Sequence, residues 1–352
     1  MEFLNKYILE QIDFGTLAIL FCLMGVVEGF NKLGYLDLLS NKLVSIAGSY
    51  KVLMGTLIYV CFFLSMFVTN DVGLIIIVPF TIQIVGKIVE SKALIKIIVL
   101  ETIAANLGCM VTPIGNPQNL YLYQYYDLSL SVFVKVIMPY AILAAVILFV
   151  LVMLDKTKVD IKSVKIDDNF KDSLACNKKG KIIKTIIYSI LFVLSILTVL
   201  DVIHYAICFL AVIVCMILCD RSLFKGINYS LLIKFIILFL IVGNLAEIPV
   251  INSKLKSVVV GNEFVSGIIL SQFLSNMPTA IMLSKFTTNG TELLLGVDIG
   301  GLGTLIASMA SMISYDYYVK VEGSEKKKYI LSFTGYSIIF LIGMVLLRLV
   351  LG

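Results

Sequence analysis

Two short polar clusters interrupt strongly apolar sequence, Phe67-Val68-Thr69-Asn70-Asp71 and Phe273-Leu274-Ser275-Asn276-Met277-Pro278. Hydroxyl and amide oxygens such as those of Thr69, Asn70, Thr112, Ser275 and Ser308, with the carbonyls of unwound backbone, suit a small cation, whereas N–H groups at a helix start favour an anion. Hydrocarbon tolerates such groups only where protein or trapped water satisfies them, so an interruption that occurs twice predicts an internal binding site. Asp71 adds a carboxylate, which at membrane depth is expensive unless it is paired, titrating or bound to a cation. The competing explanation, caps and kinks of ordinary packed helices, suits any one cluster better than it suits a repeated set. Glu28 and Glu101 form a second rank of relay or pairing groups. Glu247 and Asp298 are expected near the outer surface and solvated, and His204, the single histidine, at an outer turn.

The elements that position these clusters follow from composition. The 352 residues are 60% hydrophobic and 14% charged, and the mean hydropathy is +1.02. A soluble domain is about 25% charged, so this chain has too few charges to cover a soluble surface. Apolar runs near the length that crosses a bilayer lie at 13–34, 93–111, 131–154, 184–203, 204–220, 229–251, 295–313 and 328–350. The start, Met1-Glu2-Phe3-Leu4-Asn5-Lys6, lacks a basic cluster and a small-residue cleavage site, so the first span itself is expected to direct insertion.

The net charge of +5 could suggest a nucleic-acid partner, but the lysines sit in loops beside the spans, where the positive-inside bias explains them better, and no nucleic-acid partner is expected. The lysine-rich linker 155–183 is placed in the cytoplasm, and counting spans outward puts Arg221, Lys225 and Lys326-Lys327-Lys328 on the same side. Counting backward does the same for Lys42, Lys51, Lys87, Lys92 and Lys96. The seven cysteines contain no CxxC pair and read as apolar packing residues.

Within this frame the two halves match. A shift of 206 positions carries Phe67 onto Phe273 and Phe80 onto Phe286 without a gap, superposing Thr69-Asn70 on Ser275-Asn276. A shift of 195 positions aligns Asn106-Leu107-Gly108 with Gly301-Leu302-Gly303, and Thr112-Pro113-Ile114-Gly115-Asn116 with Ala307-Ser308-Met309-Ala310-Ser311. The parity of the intervening crossings makes the copies face opposite ways. The arms around Ser275-Asn276 rise only about 15 Å each at 1.5 Å per residue, against a core of about 30 Å, so the chain dips in and returns. Pro278 and Asn116-Pro117 are helix-start signals. The fold predicted is an all-α polytopic membrane protein of two inverted repeats, each with a re-entrant helical hairpin and a broken transmembrane helix. Residues 1–154 make the first repeat, with hairpin 50–90, broken helix 93–126 and span 131–154. Residues 184–352 make the second, with two leading spans, span 229–251, an outer hairpin 258–290, broken helix 295–319 and span 328–350.

The segments Asn106 to Asn119 and Ser271 to Pro278 resemble the ion transporter superfamily, in particular the citrate-transporter-like and arsenite-permease or sodium/proton-antiporter group related to the divalent anion:sodium symporters. That resemblance runs from about Asp13 to the end of the chain. It implies hairpin tips at Thr69, Asn70, Asp71 and Ser275, Asn276, and broken-helix loops at Thr112, Pro113, Ile114, Gly115, Asn116 and Ala307, Ser308, Ala310, Ser311. It further implies Na+ ligands among Thr69, Asn70, Asp71, Gly115 and among Ser275, Asn276, Ala310, in a transport domain that slides against a scaffold. Two features depart from the group. The first half lacks counterparts of the spans 184–203 and 204–220, as in a reduced or N-terminally shortened member. Met277 stands where symporter tips carry a third polar residue, which implies a weaker cation site there.

The function expected is secondary transport of a small anion, a di- or tricarboxylate, coupled to Na+ or H+, in the cell membrane. The alternatives are Na+/H+ antiport and arsenite efflux, both consistent with the absence of Lys and Arg from the four clusters, and more remotely a non-transporting membrane role. No cofactor beyond the coupling ion is expected. The partners expected are the solute and the bilayer, and a homodimer is one assembly the chain allows. An enzyme is not expected. Tyr315-Asp316 and Gly301-Leu302-Gly303 echo the motifs of membrane aspartyl proteases, but Thr304 stands where a second aspartate is required. No HExxH pair or membrane-embedded histidine serves another hydrolytic scheme.

Overall fold

The computed structural model describes residues 12–34, 49–87, 89–157, 178–200 and 202–352. Much of the linker 155–183, with Lys162, Lys165, Lys171 and Cys176, and also Lys42, lie outside the described residues. The described chain is helical. In order, the α-helices are α1 (Phe14–Lys32), α2 (Tyr50–Leu64), α3 (Asn70–Ile84), α4 (Ser91–Gly108), α5 (Pro117–Tyr125), α6 (Leu130–Met153), α7 (Lys178–Val199) and α8 (Tyr205–Cys219). They continue with α9 (Tyr229–Glu247), α10 (Pro249–Val259), α11 (Glu263–Leu274), α12 (Asn276–Ser284), α13 (Gly290–Gly300), α14 (Met309–Tyr318) and α15 (Lys326–Leu351). Among the described residues, Phe14–Lys32, Ser91–Val111, Leu130–Met153, Gly180–Val199 and Lys326–Leu351 are long and apolar enough to cross a bilayer. Their apolar side chains extend to the outer faces of the helices, as on α6 with Ile142, Val146 and Phe149 exposed, which is the surface of a multi-pass membrane protein.

Two compact units divide the chain, one from residues 1–42 and 165–243, the other from 43–164 and 244–352. In the first, α1 packs against α7 and α8 through Phe21, Cys22, Val26, Tyr188, Leu191, Cys208, Val212 and Met216. Asp13 starts α1 as a cap, its Oδ1 accepting from Thr16 N at 2.9 Å. Glu28 accepts from Asn31 Nδ2 at 3.4 Å and lies 3.8 Å from Lys32 Nζ, so it is a paired group here. His204 is exposed and caps α8 by accepting from Ala206 N. The apolar run 204–220 forms a helix of only 15 residues.

In the second unit the order hairpin, broken helix, span occurs twice, as α2–α3, α4–α5, α6 and as α11–α12, α13–α14, α15. Both arms of the first hairpin are 15 residues, or about 22 Å, and those of the second are 12 and 9 residues, all short of a core of about 30 Å. Each incoming arm packs on the first half of its own broken helix, α2 on α4 and α11 on α13. Each outgoing arm packs on the second half of the other one, α3 on α14 and α12 on α5. The α11–α13 contact is close because Gly267 faces Gly296, where a methyl group would stand 2.8 Å from backbone. The run expected as one span over 229–251 ends instead at Glu247, since Pro249 disfavours a helical Ile248, and α10 then turns by 111° into α11. The second broken helix begins at Gly290 rather than 295, with Asn289 as its cap.

Candidate functional site

The first tip is the break Ser65–Thr69 between α2 and α3. Thr69, rather than Asn70, occupies the cap position and makes no side-chain cap bond. Asn70 is the first helical residue, with Oδ1 accepting from Asp71 N at 3.0 Å. Both its backbone and its side-chain nitrogen donate to protein. Asn70 N donates to Gly115 O at 3.2 Å, and Asn70 Nδ2 donates to Asn106 Oδ1 at 3.1 Å. Asn106 also accepts from Ser308 Oγ at 3.0 Å and donates to Ser311 Oγ at 2.9 Å. Thus one buried network joins the first tip, the first broken helix and the second. Thr112 closes the contact by donating its hydroxyl to Met66 O. Gly115 is needed here, because a side chain would stand 2.0 Å from Cys109 O.

The second tip is a single residue, Ser275, between α11 and α12. Its φ of 73 and ψ of 154 lie where L side chains are strained. Asn276 Oδ1 accepts from Met277 N at 3.0 Å, as at the first tip. Unlike Asn70, neither Asn276 N nor Asn276 Nδ2 donates to an acceptor among the described residues, although the residue is only 7% exposed. The position facing its amide is Gly301, where a methyl group would lie 3.0 Å from Nδ2. The shift of 195 positions equates Gly301 with Asn106. The tip is held to the second broken helix by Gln272, whose Nε2 donates to Gly300 O and Leu302 O, each at 2.9 Å. Gln272 Oε1 accepts from Thr304 N at 3.0 Å.

Around the loops, Pro113, Ile114, Ala307 and Ala310 are buried and contribute backbone and shape. Asn116 starts α5 with Oδ1 accepting from Asn119 N at 2.8 Å and Pro117 next to it, as the sequence predicts. Its Nδ2 lies 3.4 Å from Asp298 Oδ1. Asp298 is therefore not a solvated outer residue. It is 4% exposed, its Oδ2 has no hydrogen-bond partner, and Cys109 stands within electrostatic reach of both Asp298 and Asp71. Sequence reasoning placed Asp298 by distance along the span from its start, whereas the helix begins at Gly290 and packs this face inward. Glu101 is fully buried on α4, with Thr81 Oγ1 donating to it at 2.6 Å. The side chain of Glu247 is outside the described residues. Asn106, Gln272 and Gly301 were not singled out from sequence, although the aligned Asn106 and Gly301 carried the signal.

Re-entrant hairpins and broken helices that enclose buried amides and carboxyls within a multi-pass helical protein define a membrane transporter. A family model described as citrate transporter matches residues 2–290, and the chain belongs to that family. It is similar to an uncharacterized transporter, MJ0456, of Methanocaldococcus jannaschii, with 33% identity over 86% of this chain and 80% of that protein. It is also similar to the inner membrane protein YbiR of Escherichia coli, with 28% identity over 86% of this chain and 79% of the relative.

Proposed function

We propose that the chain is a secondary active transporter that moves a small anion, a di- or tricarboxylate, together with Na+ or H+. The observation that carries this reading is the pair of unused donors on buried Asn276, at the start of a helix and opposite Gly301. A carboxylate oxygen fits such donors, and the helix dipole favours it. Neither Lys nor Arg occurs in the tips or loops, whereas Asp71 stands in the first tip and Asp298 faces Asn116 of the first broken helix. A polyanion bound there is repelled unless cations enter with it, so cotransport is the electrostatically consistent mode. The oxygens of Thr69, Asn70 and Asp71 with Gly115 O, and of Ser275 and Asn276 with Ala310 O, are the candidate Na+ ligands. The two halves are read as inverted repeats in the cell membrane, with the linker 155–183 in the cytoplasm, and no catalytic role is assigned.

Counterflow of labelled citrate or succinate in proteoliposomes tests the reading. Uptake that survives Asn276→Ala and Asn70→Ala unchanged removes the site. A second reading, Na+/H+ antiport, is favoured by the unpartnered Asp298 Oδ2. Proton release on adding Na+ in the absence of any organic anion selects it.

A further inference from the structure

Away from the tips, a second polar cluster is enclosed by α2, α3, α4 and α15. Glu101 of α4 is 0% exposed and its Oε1 accepts from Thr81 Oγ1 of α3 at 2.6 Å. Its Oε2 has no hydrogen-bond partner, and the buried hydroxyl of Tyr329 on α15 has none either. Cys61 of α2 and Tyr329 are the titratable groups near the Glu101 carboxyl, and Tyr318 of α14 is stacked on Tyr329 with ring centroids 4.9 Å apart. Among the described residues no cation faces it. Lys96, the basic residue nearest in sequence toward the start of α4, is bound to Asp155 at 2.6 Å. The α13 carboxyl, Asp298, faces Asn116 instead.

A lone carboxylate in such surroundings is costly, since one hydroxyl does not replace its hydration. A proton on Oε2 removes the charge and leaves Oε1 as a carbonyl oxygen, the acceptor that Thr81 already serves. We propose that Glu101, with Thr81 and Tyr329 beside it, is a proton-binding site that carries the coupling proton of transport. The proton comes from water on one side of the membrane and returns to water on the other, and no other bond changes. This rests on the transporter reading for its role, but not for the existence of the site.

Infrared difference spectroscopy of the full chain in liposomes, wild type minus Glu101→Gln, reads the site directly. The expected result is the carbonyl band of a neutral carboxyl at neutral pH, replaced by a carboxylate band as pH rises. Thr81→Val moves the band to higher frequency by removing the hydrogen bond to the carbonyl, which serves if Glu101→Gln does not fold. In the same liposomes, accumulation driven by a pH gradient is lost in Glu101→Gln. A carboxylate band already present at neutral pH, a neutral band that never titrates while the protein stays folded, or gradient-driven accumulation retained in Glu101→Gln each overturns the proposal. Conversion of the band by Na+ at fixed pH also overturns it, by assigning the site to a metal cation. A titrating band in a wild type that transports nothing instead refutes the transporter reading and leaves the proton site standing.

Discussion

The two hairpin tips are built from matching sequence and differ in what their asparagines do. Asn70 N and Nδ2 both donate to protein, to Gly115 O and to Asn106 of the Asn106–Ser308–Ser311 network. Asn276 has none of its donors committed, because Gly301 supplies no side chain where Asn106 stands in the other half. The backbone differs in the same sense. Thr69 keeps a negative φ, −45 with ψ 148, whereas Ser275 is held at positive φ in a sparsely populated region that typically costs about 1–3 kcal/mol. Matching sequence thus gives one tip tied into a network and one tip that is strained and open. Buried donors left without acceptors are uncommon in folded proteins, which is why the proposed solute is placed at the open tip.

Substitutions at and around the two tips test this difference. The largest effect is expected at the open tip, where Asn276→Ala weakens solute binding by about 10- to 100-fold, the range for lost hydrogen bonds to a charged group, as read by equilibrium binding in detergent. Next, Asn106→Ala lowers stability by about 2 kcal/mol in a thermal or denaturant melt, because Asn70 Nδ2 and the Ser308 and Ser311 hydroxyls lose their shared partner. If Asn106→Ala impairs binding more than stability, the assignment of structural and binding tips is reversed. Gly301→Ala places a methyl group against Asn276 Nδ2 and reduces affinity by about tenfold, with the fold retained. Ser275→Gly releases the backbone strain and raises stability by about 1 kcal/mol, whereas Thr69→Gly, at a negative φ, does not.

The smallest effect lies outside the tips, at the end of α6. Burial pushes the Asp155 carboxyl up, but Lys96 at 2.6 Å and the Thr157 N–H outweigh it and hold the group below its ordinary value. A carboxyl lowered on folding adds stability above its unfolded value, and that contribution is lost as pH falls through the folded one. Acid therefore weakens this joint, and Lys96→Met reduces the acid sensitivity of a thermal melt.

How much was legible follows the range of the interactions. The tips and breaks could be read because their signals are local: arms too short to cross, Pro113 and Gly115 ending a helix, and Asn116-Pro117 starting the next. The cap of α3 was not legible, since Thr69, Asn70 and Asp71 all suit a helix start and only the backbone path puts Thr69 there. Asp298 was misplaced because its solvation depends on Asn116, 182 positions away. The span expected over 229–251 ran through Pro249 because hydropathy does not register a missing N–H or the clash it brings.

By itself, then, the amino-acid sequence determined a helical membrane protein with paired polar interruptions, since hydrophobicity, proline and glycine act within a few residues of where they stand. Which polar atoms find partners inside the protein depends on the folded arrangement. Asn70 and Asn276 are the same residue in matching motifs, and their difference arises from a facing side chain that is present at Asn106 and missing at Gly301. Hydrogen-bond satisfaction is set by contact in space, and those contacts form only when each tip folds against its own broken helix.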